Sequence, residues 1–286
     1  MSTEASATAA ARRPSGTGTG AGTGAATAPR RRRRVELPWK EVLSLAIGAA
    51  LWELIGRSAD AAFFPPLSDV LVRLWELILS GDILTNLLGS LGNFALAFAF
   101  CIVVGVPVGM LMGLSYRLRA ALDIYVNAFL TAPSLIFAPI FFAIFGLSRW
   151  SIVAVIVMYS LFIIIVSAEG AVRSVDASLK EMARSFNANR VQTFFKVLLP
   201  ASLPLIFAGL RLGAGRGVKG MINGEMFIAA VGLGALLMSA GRGFDAATVL
   251  AVLLVIIVVA LVIARLIQAI DARATAWLPS TDRKQS

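Results

Sequence analysis

Residues 247–264, ATVLAVLLVIIVVALVIA, carry no charged side chain. A stretch of this length and apolarity fits a bilayer, whose hydrocarbon core of about 30 Å needs about 20 helical residues to cross. Inside lipid a backbone must satisfy its own hydrogen bonds, so such a stretch predicts a helix. Six stretches read this way, over about 41–57, 90–114, 121–146, 150–168, 203–229 and 247–268. The first carries Glu53 and is the least apolar. The chain therefore reads as an all-α polytopic membrane protein with about six transmembrane helices. The composition agrees. Hydrophobic residues make up 58% and charged residues 15% of the chain, against about 25% charged in a typical soluble domain.

The residue inventory removes whole classes of chemistry. There is no histidine and a single cysteine, Cys101, in an apolar run. This excludes a disulfide framework and Ser-His or Cys-His nucleophiles, and it argues against a zinc site. No GxxxxGK[ST] phosphate loop is present, so the chain reads as a non-enzyme with no ATPase site and no cofactor of its own. The net charge of +10 would suggest nucleic acid in a soluble protein. In a membrane protein it reflects cytoplasmic loops, which collect Lys and Arg, and lipid contact rather than nucleic acid.

Residues 1–36 are rich in Ala, Thr, Gly and Ser and include Arg30–Arg34; this composition predicts a disordered basic tail. Residues 37–278 form the membrane domain and 279–286 a second tail. With the N-terminus in the cytoplasm, the inner segments hold Lys40, Arg117, Arg119, Arg173, Lys180, Arg184, Arg190, Lys196 and Arg273. Arg283 and Lys284 join them, whereas the outer segments hold only Arg57, Arg73, Arg149 and Arg242. The positive-inside rule thus places both termini in the cytoplasm. The stretch 58–89, broken by Pro65-Pro66, reads as an outer connection with a short amphipathic helix near SDVLVRLWELI, N-capped by Ser68.

Three spans carry unusual residues. Gly105, Gly109 and Gly113 line one helix face, where small residues let helices approach closely; the partner is either another helix of this chain, or a second copy or pore. Pro107 lies among them and suggests a bend. Pro133 and Pro139 each remove a donor and argue against a straight third span, which fits a path-lining helix or a kink made for packing. The fifth span holds Arg211, Arg216, Lys219 and Glu225. A charge at mid-membrane costs about 2.5–3.5 kcal/mol on insertion scales. Arg211 can snorkel to the cytoplasmic face, but Glu225 lies deeper. It reads as a translocation-path residue or as half of a buried ion pair, with Lys219 too far along the helix for easy pairing.

Between spans four and five, EMARSFNANRVQTFFKVLLP (181–200) alternates charged and apolar residues at helical spacing. Ser178 with Glu181 makes a capping-box pattern. Leu179, Met182 and Phe186 share a face. Asn187 stands where that helix ends, and Asn tolerates the left-handed conformation that ends helices. Asn189 with Gln192 makes a second, weaker cap. Val191, Phe194, Phe195 and Leu198 form another apolar stripe, and Pro200 and Pro204 stop regular structure. The segment reads as helix, turn, helix in the coupling region 174–200, with apolar side chains suited to a protein partner.

This segment resembles the EAA loop of ABC importer permeases, EAA-x3-G-x9-I-x-LP. Glu181, Ala183, Leu199 and Pro200 match it; Val197 stands at the Ile position, Met182 replaces an Ala and Asn187 the Gly. FFPPLSDVL, SGDILTNLLGSLGNFALAF, VGVPVGMLMGLS, AGLRLGAG, EMFIAAVGLG and Trp277 resemble the nitrate, taurine and alkanesulfonate branch over most of 62–278. The resemblance implies a type I importer permease fold in the inner membrane and a coupling loop seated in a groove of a cytoplasmic ABC ATPase, which binds the ATP. It also implies a permease homodimer, an external solute-binding protein, and a small anionic solute of the sulfonate, taurine or nitrate kind. Two alternatives remain: a solitary ion-coupled carrier using Glu225, and an importer of another small organic solute such as a vitamin precursor.

Overall fold

The computed structural model describes residues 39–58, 64–228 and 231–276. The tails 1–36 and 279–286 lie outside the described residues, as do Arg30–Arg34, Arg283, Lys284 and Trp277. The chain divides into two units, residues 1–44 and 45–286. Of the first, only Trp39–Ser44 is described, the opening turns of a helix, α1 (Trp39–Ser58). All described elements are helical.

Within the second unit, α1 is followed by α2 (Leu67–Leu79), α3 (Asp82–Leu114) and α4 (Tyr116–Thr131). After a 3₁₀ turn at Ser134–Phe137 come α5 (Ala138–Phe145) and α6 (Arg149–Arg173). Next are α7 (Ala177–Ser185) and α8 (Arg190–Thr193), a π turn at Phe194–Leu198, then α9 (Leu199–Ile228), α10 (Leu233–Arg242) and α11 (Ala246–Ala274). Among the described residues four helices are long and apolar enough to cross a membrane: α3, α6, the continuous rod Arg190–Ile228, and α11. The pair formed by α4 and Ser134–Phe145 adds a fifth span if its two arms are counted as one. α1 has the length of a span but carries Lys40, Glu41, Glu53 and Arg57 in 20 residues.

Several sequence expectations are corrected. The second span begins at Asp82 rather than 90, because Gly81 adopts a left-handed φ of 82° that starts the helix eight residues earlier. Pro107 lies inside this helix without ending it. Ser68 is not the cap of α2; Pro66 holds that position without a side-chain cap. The Ser68 N–H and hydroxyl both donate to Glu53, at 2.9 and 3.0 Å, and Arg57 pairs with the same carboxylate at 2.7 Å. The charge that weakens α1 as a span is thus satisfied by the connection that follows it.

The third span is broken at Pro133, and its two arms meet at 95°. Ala132 is extended (ψ 139°), as the residue before a proline prefers. Pro139 does not contribute to the break. It lies in the first turn of α5, where the missing N–H would have had no partner in any case.

Helix α6 is the centre of the core, with α3 against one face and α9 against another. The glycines of α3 meet it: Gly105 lies over Leu161 and Ile164, Gly109 over the Ile165 carbonyl and Ala168, and Gly113 over Val172 and the Glu169 carbonyl. A second glycine ladder lies on α9. Gly209 faces Ser167, Gly213 faces Ile164, Gly217 faces Ser160 and Gly220 faces Tyr159. Close backbone approach lets the Ser160 hydroxyl donate to the Gly213 carbonyl at 3.0 Å. In lipid, such packing and hydrogen bonding drive helix association.

A methyl group at Gly109 would run into the Ile165 carbonyl, whereas one at Gly215 meets nothing within 4 Å. Gly109→Ala is therefore expected to destabilise the bundle by about 1–3 kcal/mol. Gly215→Ala should leave stability equal or higher by up to about 1 kcal/mol. Thermal melts of the two variants in one detergent check this ordering.

Candidate functional site

The loop between α6 and α9 is built as two helices about one left-handed residue. Asp176, not Ser178, caps α7: its carboxylate accepts the Ser178 N–H at 2.9 Å, which holds its pKa below the usual carboxylate range. The Ser178–Glu181 pattern makes no capping box, because Ser178 is already inside the helix. A cap two residues upstream satisfies the same orphan donors. Asn187 has φ 53°. Its N–H bonds to the Arg184 carbonyl at 2.9 Å, and the Ala188 N–H to Ala183 at 3.0 Å. This pair of bonds is the Schellman ending that a left-handed residue permits. The Asn189–Gln192 pair is the complete box, with bonds of 2.8 and 3.0 Å.

Pro200 does not stop the chain. The Leu199 N–H reaches back five residues to Phe194, and this π turn widens the backbone just ahead of Pro200. The ring, which would clash with the carbonyl four residues earlier in a regular helix, falls in a first turn instead. α9 then runs on through Pro204.

The loop's side chains divide cleanly. Ala183 and Leu198 are buried, Phe194 packs on the core, and Val197, Leu199 and Pro200 are half-buried. Met182, Phe186, Val191 and Phe195 are 48%, 80%, 65% and 60% exposed. Glu181 is exposed beside them, and among the described residues its carboxylate meets no partner.

Just before the loop, a buried ion cluster appears that the sequence reading missed. Glu169 on α6 pairs with Arg119 of α4 at 2.8 Å and with Arg173 one turn on at 3.3 Å. It tethers α4 to the end of α6, seven residues ahead of Asp176. The sequence signal was present: Glu169 directly follows the predicted fourth span, and Arg119 and Arg173 lie in the neighbouring segments between spans.

Of the fifth-span charges, Arg216 and Lys219 are exposed, and Arg211 lies 3.9 Å from Asp271 of α11. Glu225 is fully buried. The ion pair, one of the two readings of Glu225, is absent among the described residues; the partners are dipoles. Its Oε2 accepts the Ser90 hydroxyl at 2.8 Å and the Gly234 N–H at 3.0 Å. Ser90 in turn accepts the Leu233 N–H at 3.0 Å, and Asn86 accepts the Gly232 N–H at 2.9 Å. Three consecutive donors at the start of α10 are thus satisfied by side chains of α3 and α9. The helix N-terminus offsets part of the buried negative charge. Gly232, at φ 102°, lies over the carboxylate where a Cβ would collide with it. Arg211, Lys219 and Glu225 therefore do not converge on one point, and neither Pro133 nor Pro139 joins them.

Ser90→Ala would leave the Leu233 N–H and one Glu225 bond unmet, a loss of about 1–3 kcal/mol for a buried donor. Faster hydrogen exchange at the Leu233–Ala235 amides, with exchange in α6 unchanged, is the expected result.

Comparison with known proteins agrees with this architecture. Residues 105–276 match the family described as binding-protein-dependent transport system inner membrane component. The chain is 30% identical over 241 residues to the taurine transport system permease protein TauC of Escherichia coli (strain K12), covering 82% of this chain and 88% of that one. It is 32% identical over 203 residues to the putative aliphatic sulfonates transport permease protein SsuC of Bacillus subtilis (strain 168), covering 70% and 74%. A structure of the MetNI methionine ABC transporter in inward-facing conformation superposes with a TM-score of 0.59 at 22% identity, over 66% of this chain and 94% of that one; at that identity the likeness speaks for the fold. The chain belongs to the family of inner-membrane permease components of binding-protein-dependent ABC importers.

Proposed function

We propose that this permease carries a small anion of the sulfonate, taurine or nitrate kind, driven by a separate cytoplasmic ABC ATPase that docks on the α7–α8 loop. The observation that carries the reading is the exposed cluster of Met182, Phe186, Val191 and Phe195 about the left-handed turn at Asn187. Clustered exposed apolar groups beside a free carboxylate fit a protein interface, with an apolar centre and a polar rim. The ATPase supplies the phosphate loop that this chain lacks. The surplus of Lys and Arg in alternate loops orients both termini to the cytoplasm. A binding protein delivers the solute from outside, and two copies of the chain line the path. The solute class rests on the relatives named for taurine, aliphatic sulfonates and nitrate.

A solitary carrier using Glu225 as an ion relay has less support. The carboxylate is sealed from solvent and engaged in holding α10. Other organic solutes, vitamin precursors included, find no support among these relatives.

Phe186→Ala and Glu181→Lys should leave membrane insertion normal and reduce co-purification of the ATPase about tenfold or more, as loss of an interface anchor does. Undiminished co-purification would remove the loop from the interface. ATP-driven uptake into proteoliposomes should be lost in proportion. Uptake by the chain without any ATPase would refute the permease reading itself.

A further inference from the structure

A cavity of about 410 Å³ lies between α3, the α5–α6 turn and the end of α9. Its polar lining is Asn93, Ser148 and Arg149; its apolar walls include Leu88, Ile152 and Ile228. Asn93 is 7% exposed, yet among the described residues its amide makes no hydrogen bond. The amide is not sealed off, since the sealed side-chain atoms without a partner among the described residues are Arg211 Nε and Glu225 Oε1; it lines the cavity with its hydrogen-bonding capacity unused. Arg149 is exposed and takes part in no ion pair among the described residues. It is also the first residue of α6, whose opening N–H groups add positive potential. Ser148 caps none of them, since its hydroxyl donates to the Phe145 carbonyl at 2.8 Å.

We infer that this cavity is a solute subsite for a short aliphatic monoanion, a sulfonate or carboxylate bearing a small alkyl tail. The Arg149 guanidinium and the α6 N-terminus receive the anionic head, and the Asn93 amide donates to one of its oxygens. The apolar walls take the tail. A volume of this size falls within the range of small-molecule pockets, which are apolar with a few placed polar groups. The same walls disfavour a bare inorganic anion, which offers them nothing to bury. No carboxylate lines the cavity to repel the solute. The place of this subsite at the outer mouth of the path rests on the permease orientation proposed above; its chemistry does not.

The test is equilibrium binding of radiolabelled ethanesulfonate to the full-length chain in lipid nanodiscs, with unlabelled nitrate as competitor. Saturable binding is expected. Arg149→Gln and Asn93→Ala should each weaken it about tenfold, the loss of a hydrogen bond to a charged group. Asn93→Asp, nearly the same shape, should weaken it further by like-charge repulsion. Nitrate should compete about tenfold less well than unlabelled ethanesulfonate, as burial of two methylene-sized groups predicts. Arg149 is exposed, so its substitution leaves the fold intact and keeps the test decisive if an Asn93 variant unfolds. Absence of saturable binding, binding indifferent to Arg149→Gln, or equal competition by nitrate would overturn the subsite. ATP-driven uptake by the complete transporter without ethanesulfonate binding would overturn the subsite and leave the permease reading standing. Binding with uptake that needs no ATPase would do the reverse.

Discussion

The close packing of α6 between two glycine-lined helices is the constraint on which the rest depends. Lipid gives apolar helices no reason to associate, so contact must come from dispersion and from hydrogen bonds that only near backbones can make. Gly109 and Gly113 bring α3 onto the carbonyls of α6, and Gly213 brings α9 within reach of Ser160. Fixing α3 and α9 on the same helix also fixes them relative to each other. Ser90 and Glu225 then lie within hydrogen-bond distance although 135 residues apart in sequence. The anchoring of α10 is therefore a consequence of the glycine ladders, since neither helix alone supplies all three acceptors.

The polar features follow one rule. The buried or half-buried carboxylates Glu225, Glu169 and Glu53 are each placed where a helix end or an opposite charge meets them. Glu225 faces the N-terminus of α10, and Glu169 meets two arginines. Glu53 meets Arg57 and the first turn of α2. Such groups are expensive in lipid unless satisfied, so their positions mark where elements must join. All three tie a span to a shorter, surface-type helix or to the end of a neighbouring span.

Much of this was legible in the sequence, because apolarity and backbone chemistry are local. The spans followed from unbroken apolar runs, the break at Pro133 from a missing donor, and the left-handed turn from Asn187 at a helix end. What was not legible depended on distant neighbours. Ser178 and Asp176 are both good caps two residues apart, and local pattern favoured the one followed by Glu181. Ser68 looked like a cap because Glu53, fifteen residues earlier, was not known to claim it. Pro200 looked like a stop because a π turn has no sequence signature as plain as that of proline. Glu225 was recognised as too deep to be free. Its partners, a hydroxyl and a peptide N–H, carry no charge to betray them.

The π turn also bears on how the loop relates to the membrane core. With it, Arg190 to Ile228 forms one unbroken rod of 39 residues, about 58 Å long at 1.5 Å per residue. Its first two turns carry the exposed Val191 and Phe195, and its last turns carry Glu225. A helix-ending proline would have put a hinge between them. The π turn keeps the hydrogen-bonded backbone continuous, so a displacement at the loop reaches the α10 anchor without crossing a coil. The other arm of the loop follows directly from α6, whose end is tied to α4 through Glu169 and Arg119. One arm therefore leads to the Glu225 end of α9 and the other to the ends of α6 and α4 that Glu169 and Arg119 join. A pull on the turn at Asn187 would be shared between two sets of spans that are joined by glycine packing and by the hydrogen bonds of Ser160 to Gly213 and Asn223 to Tyr159. That joint resists separation through short contacts rather than through covalent or charged ties.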